Sequence, residues 1–238
     1  MKKKICLWSC PRNVSTALMY SFRQRPDTLV FDEPLYAHYL RVSQVNHPGI
    51  KDILISQENN GDKVVQDVIL QDYQKHSFFK MMSHFLIDID KSFLTNVTNI
   101  ILIRDPREII FSYTKIMPSP KMLDIGLKMQ FDLFNYLQKS NNVPIVLDSR
   151  SLLEDPSGIL KRLCNMIGIT YFKNMLEWER GHKNEDGVWA KYWYHNVHDS
   201  TSFLQYEKTH IELSKGNQLL YKECLPYYNF LTKKSINL

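Results

Sequence analysis

A chain of 238 residues that is 44 % hydrophobic and 23 % charged has ample apolar surface for one sizeable core, so a single domain over residues 1–238 is expected. The net charge of +5 is small and its Lys and Arg residues are scattered, which argues against a track for nucleic acid while leaving room for a local phosphate pocket. No apolar run approaches the ~20 residues that span a bilayer, and Cys6, Cys10, Cys164 and Cys224 form no C-x-x-C pair, so the expectation is a cytoplasmic protein with reduced thiols and no membrane partner.

Short β-branched and apolar runs alternate with longer amphipathic segments, the pattern of an α/β fold with a mostly parallel central sheet and helices on both faces. Strands are expected from Ile5 to Ser9, Thr28 to Phe31, Phe78 to Met82, Asn99 to Ile103 and Val143 to Leu147. The first is followed by Pro11-Arg12-Asn13-Val14-Ser15-Thr16, after which a helix should begin near Ser15. Residues 38–72 give no clear reading. Asp105-Pro106 places a capping Asp before a Pro suited to the first helical position, so a helix should run from there to about Lys115. Met122 to Leu137 reads as one buried helix. Asp155-Pro156 repeats the capping device, and that helix should stop at Gly168. A turn at Asn184 to Gly187 precedes the aromatic cluster Trp189, Tyr192, Trp193 and Tyr194, and a last helix is expected from about Lys215 to Tyr228.

A strand-to-helix junction at residues 9–15 would direct the backbone N–H groups of Val14 to Ala17 at an anion. Arg12 adds a permanent charge with forked donors, Ser15 and Thr16 add hydroxyls, and Asn13 tolerates the left-handed backbone that glycines supply in other phosphate loops. A plainer reading makes Ser15 or Thr16 a helix cap and Arg12 a surface charge. Arg104 leaves the carboxyl end of the fourth strand, where open α/β sheets bind ligands, and Ser112 lies two helical turns on. Asp105 could instead be the magnesium-holding carboxylate of an ATP-dependent phosphotransferase, but its role as a cap and the missing Gly-Lys pair speak against that.

Taken together, residues 10–16, residues 103–113 and the stretch from Ser151 to Ile169 resemble, in order, three segments of the sulfotransferases that use 3′-phosphoadenosine 5′-phosphosulfate. The resemblance implies a P-loop-like α/β fold. It further implies metal-independent, in-line transfer of a sulfuryl group from that donor to a hydroxyl or amine of a small or medium-sized acceptor. It places the 5′-phosphosulfate on Arg12, Asn13, Val14, Ser15, Thr16 and Ala17, with Arg12 where better-known members carry Lys, and the 3′-phosphate on Arg104 and Ser112. Gly187 and Lys191 resemble the family's segment that folds over the nucleotide. Two residues compete as the base that takes the acceptor's proton: Glu33, after the second strand, and His84, after the third. A non-catalytic nucleotide-binding protein is the remaining alternative. His38, His182, His195 and His198 lack such a context and are expected on the surface or in a lid over the acceptor.

Overall fold

The computed structural model describes residues 2–207 and 210–236. Five strands form one parallel sheet: β1 (Lys4–Ser9), β2 (Thr28–Asp32), β3 (His76–Met82), β4 (Thr98–Ile103) and β5 (Ile145–Asp148), ordered β2-β3-β1-β4-β5. The expected strands are all present, each within two residues at either end. Their near-continuous apolar wording follows from burial on both faces of a parallel sheet. Ile5 and Leu7 pack on one side with Phe78, Ile100 and Leu102, while Cys6 and Trp8 pack on the other with Phe79, Met81 and Ile101.

Twelve α-helical segments occur among the described residues. In chain order they are α1 (Ser15–Arg23), α2 (Tyr36–Ser43), α3 (Ile50–Ser56), α4 (Gly61–Val64), α5 (Pro106–Tyr113), α6 (Met122–Ile125), α7 (Leu127–Lys139), α8 (Ser149–Glu154), α9 (Pro156–Ile167), α10 (Ala190–Trp193), α11 (His195–His198) and α12 (Lys215–Thr232). Helices α1 and α9 cover one face of the sheet; α2, α5, α7 and α12 cover the other. Both Asp-Pro devices cap as expected. Asp105 accepts the Arg107 N–H at 2.7 Å, and Asp155 accepts that of Gly158 at 2.9 Å.

The segment expected to be one helix from Met122 to Leu137 is two. Gly126 takes φ +77°, which ends α6 and starts α7, and a Cβ there would meet that of Cys10 at 3.4 Å. The illegible stretch at residues 38–72 folds as α2, α3 and α4, the last continued by a π-helical turn from Val65 to Ile69. His38, expected at the surface or in a lid, is instead 1 % exposed: its Nδ1 accepts the Gly61 N–H at 3.0 Å and its Nε2 lies 2.8 Å from the Ile87 carbonyl.

The chain runs from β1 to β2 and β3 on one side of the sheet, then to β4 on the other. The helices that follow β1 and β4 therefore depart on opposite faces and open a crevice between their first turns. Most of the residues expected at the site gather at that end of the sheet. No helix among the described residues is long and apolar enough to cross a membrane.

Candidate active site

A cavity of about 700 Å³ occupies the crevice, a size suited to a nucleotide or a comparable ligand. Arg12 to Ala17, Arg104 and Ser112 line one part of it, and Glu33, Lys80, His84 and Tyr194 line another. Thus the structure brings together every residue expected at the site except Gly187 and Lys191. The Gly187 N–H donates to Asp32 at 3.1 Å, and the exposed Lys191 pairs with Asp52 at 3.1 Å; neither lines the cavity.

The loop after β1 is pinned by side chains at each end. Asn13 does not take the left-handed backbone; Arg12 does, at φ 56°. Asn13 serves otherwise: its Nδ2 donates to the Leu102 carbonyl of β4 at 3.0 Å, and its Oδ1 accepts the Val14 N–H at 2.8 Å. The strained Arg12 is held by Arg104, whose Nη1 donates to the Arg12 carbonyl at 2.7 Å. Val14 is the N-cap of α1 and makes no side-chain capping bond, and the first turn carries no acidic residue. Neither Ser15 nor Thr16 caps the helix, which leaves its first N–H groups and its dipole facing the cavity.

Arg12 spans the crevice, donating through Nε to Ser112 at 3.0 Å and through Nη1 to the Trp193 carbonyl at 3.4 Å. Burial, and secondarily the charge of Arg104, pull its pKa below the usual arginine value. Two guanidinium groups crowded in a partly dry cleft favour an anion between them. Arg104 is itself steadied by Glu108 at 2.8 Å, and Glu108 accepts from Tyr206 at 3.1 Å.

A buried polar network forms the opposite wall. Glu33 is 5 % exposed and adopts φ 45° at the end of β2, with its N–H on the Lys80 carbonyl at 2.8 Å. Lys80, fully buried in β3, lies 2.9 Å from Asp32, 2.5 Å from Glu33 and in hydrogen-bond contact with the Tyr194 hydroxyl. That hydroxyl donates to Asp32 at 2.8 Å and accepts from Trp189 Nε1 at 3.0 Å. One cation thus serves two buried carboxylates. Burial drives the Glu33 pKa up, to about 7; the Asp32 charge adds to this and Lys80 opposes it. His84, in the 3₁₀ turn Ser83–Phe85 after β3, is driven down to about 3, by burial first and by His47 second. Its Nδ1 is buried with no hydrogen-bond partner among the described residues.

Sequence reasoning missed Asp32, Lys80 and Tyr194. One signal was present: Lys80 interrupts the apolar run Phe78-Phe79-Lys80-Met81-Met82 in a strand buried on both sides, and a charge there requires partners.

A sulfotransferase-domain family model matches residues 3–235. The chain belongs to the sulfotransferase family. Among curated relatives it is 38 % and 37 % identical, over 94 % of its own length, to branched-chain-amino-acid aminotransferase-like proteins 1 and 2 of Arabidopsis thaliana. It spans only 40 % of the length of each. Among solved structures it shares its fold with a sulfotransferase domain from the curacin biosynthetic pathway (TM-score 0.55, 14 % identity, 94 % of this chain and 97 % of that one). It also shares it with a sulfotransferase from Alicyclobacillus acidocaldarius (TM-score 0.56, 10 % identity, 99 % and 98 %). At such identities the likeness is one of fold, and the cavity must speak for the chemistry.

Proposed function

We propose that this chain moves a sulfuryl group from 3′-phosphoadenosine 5′-phosphosulfate to a hydroxyl or amine of a small or medium-sized acceptor, without a metal. The observation that carries the reading is the uncapped first turn of α1 facing Arg12 and Arg104 across one cavity, in a chain of the sulfotransferase family. The 5′-phosphosulfate lies on Arg12 and the N–H groups of Ser15 to Ala17, the Val14 N–H being held by Asn13; the 3′-phosphate lies on Arg104 and Ser112. The acceptor enters against the aromatic wall of Tyr36, Tyr39, Phe85, Trp189 and Trp193.

In the transfer, the acceptor oxygen or nitrogen attacks sulfur in line with the bridging oxygen of the donor. A new bond to sulfur forms as the bond from sulfur to that bridging oxygen breaks, and the electron pair leaves on the 5′-phosphate. Arg12 and the helix N–H groups stabilise this developing charge. Glu33 takes the acceptor's proton. A base is most effective with a pKa near the working pH, which favours Glu33 at about 7 over His84 at about 3. Lys80 and the Tyr194 hydroxyl hold the Glu33 and Asp32 carboxylates in register.

The ATP-dependent alternative would have Asp105 hold magnesium, but Asp105 is engaged in capping α5. Thermal stabilisation by adenosine 3′,5′-bisphosphate, compared with magnesium-ATP, separates the two readings, because a ligand selective for the folded chain raises its midpoint. A larger shift with the bisphosphate is expected; a larger shift with ATP overturns the assignment. Turnover with labelled donor across an acceptor panel then distinguishes an enzyme from a nucleotide-binding protein that does no chemistry.

A further inference from the structure

Outside the cavity, on the turn that leads into α10, two imidazoles converge on one carboxylate oxygen. His182 Nδ1 lies 3.1 Å from Asp186 Oδ2, and His198 Nε2 lies 2.9 Å from the same atom. The three atoms fall within 4.8 Å of one another. None of the three residues lines the cavity, and the sulfuryl transfer proposed above uses none of them.

We infer that His182, Asp186 and His198 form a binding site for a divalent transition cation of the zinc type, which clamps the turn before α10 to α11. Two imidazoles and a carboxylate are a borderline-soft donor set that suits zinc and its neighbours and disfavours magnesium or calcium. Bonds of ~2.0–2.2 Å to a tetrahedral ion put ligand atoms roughly 3.3 Å apart. Two of the three edges therefore need to open by only a few tenths of an ångström. The third edge, no longer than 4.8 Å, adjusts by rotation of His182, whose side chain is 63 % exposed and gives the ion a route from solvent.

The carboxylate is already fixed for this task. The side chain of Asp186 is fully buried, and it accepts from the Tyr20 hydroxyl at 2.7 Å and from the Lys183 N–H at 2.8 Å. The Tyr20 hydroxyl bridges both carboxylate oxygens and the Lys183 N–H bonds to Oδ2 itself, so these bonds fix the carboxylate's orientation at the atom the ion would share. Arg23 is paired with Glu185 at 2.7 Å, and Lys183 Nζ donates to the carbonyls of Glu179 and Gly181, so both nearby cations are turned to other partners. Binding replaces the two imidazole contacts to Asp186 with ligand bonds. His198 then offers the Nε2 lone pair and carries its proton on Nδ1.

The position explains what the clamp would do. Gly187, next to Asp186, donates its N–H to Asp32 of the buried network, and Asn196 and Val197 of α11 line the cavity. An ion here ties together two segments that wall the site, without touching the reacting atoms. The fourth position of a tetrahedral ion is left to water.

The test uses the tag-free full chain, stripped with a chelator and titrated with zinc by calorimetry and with cobalt(II) by visible absorption. One ion per chain is expected, with the intense cobalt bands of a tetrahedral site. The melting midpoint should rise by roughly 5–10 °C at a hundredfold excess over Kd. His182→Ala, at an exposed position that tolerates truncation, should abolish both the bands and the shift, and His198→Ala should do the same. Absence of saturable binding overturns the site, as does binding that persists undiminished in His182→Ala. Because the readout is metal binding, failure here leaves the bisphosphate result untouched, and the reverse holds as well.

Discussion

The two walls of the cavity hold charge by opposite means. On the side proposed for the donor, Arg12 and Arg104 are cations gathered in a partly buried cleft, supported by backbone N–H groups. On the side proposed for the acceptor, Asp32, Glu33, Lys80 and Tyr194 are sealed in a buried network in which one cation serves two carboxylates. The first arrangement waits for an anion from outside. The second is nearly balanced within itself and keeps one carboxylate protonatable near neutrality. The proposed roles follow this difference: uncompensated charge suits binding an anion, and incompletely compensated charge suits moving a proton.

The most severe break in this comparison is Glu33→Gln, which keeps the shape of the side chain and removes the proposed base. Turnover should fall by about 10²–10⁴-fold while the bisphosphate shift persists. In the parent, kcat/KM should rise with pH to a midpoint near 7, where Glu33 ionises. That limb should survive His84→Gln and vanish in Glu33→Gln; its survival in Glu33→Gln would return the role to His84. Stability should move the other way. A carboxyl whose folded pKa stands above its ordinary 4.5 stabilises the fold fully below pH 4.5 and loses that contribution as pH rises through about 7. The parent should therefore weaken relative to Glu33→Gln across that window in parallel denaturant titrations.

Next in size is Lys80→Met, which leaves Asp32 and Glu33 facing each other without their cation. A buried pair broken from one side costs about 3–5 kcal/mol, measurable by urea unfolding. The double variant Lys80→Met with Glu33→Gln should recover part of that loss, because one carboxylate then needs no partner. No recovery would mean that Lys80 acts through packing alone.

The two walls were also unequally legible. The side proposed for the donor is written locally: Pro11 to Thr16 is one loop and Arg104 to Ser112 is one strand end with its helix, so residue types suggested an anion there and the resemblance to the sulfotransferases assigned the two phosphates. Even there the left-handed backbone expected of Asn13 falls on Arg12, because the Arg104 side chain that holds the turn arrives from 92 residues away. The acceptor side joins Asp32 and Glu33 to Lys80 across neighbouring strands and to Tyr194 from α10's far end, and no local pattern announces such a meeting. Strands were legible because burial on both faces imposes continuous apolar runs. Residues 38–72 were not, because their helices are short and owe their stability to tertiary contacts more than to periodicity.

On the donor side the larger effect belongs to Arg104→Ala. It removes a charged donor and also the bond that steadies the Arg12 turn. The loss should be about 1.5–3 kcal/mol in bisphosphate affinity, enough to cut the thermal shift to about half or less at a hundredfold excess over the parent's Kd. An unchanged shift would show that the 3′-phosphate lies elsewhere.

Ser112→Ala should be the mildest change, and it separates two roles that the geometry joins. The hydroxyl accepts from Arg12 Nε at 3.0 Å, which leaves its own proton free to be donated to a phosphate oxygen. If Ser112 relays between Arg12 and the 3′-phosphate, Ser112→Ala should cost about 0.5–1.5 kcal/mol toward adenosine 3′,5′-bisphosphate and much less toward adenosine 5′-phosphate, which lacks the group it contacts. Equal losses with both ligands would mean that Ser112 only positions Arg12, since a misplaced Arg12 weakens the 5′ end that the two ligands share. Calorimetric titration of both nucleotides into both chains decides the matter, and the outcome fixes whether the bond between Arg12 and Ser112 belongs to the binding surface or to its scaffold.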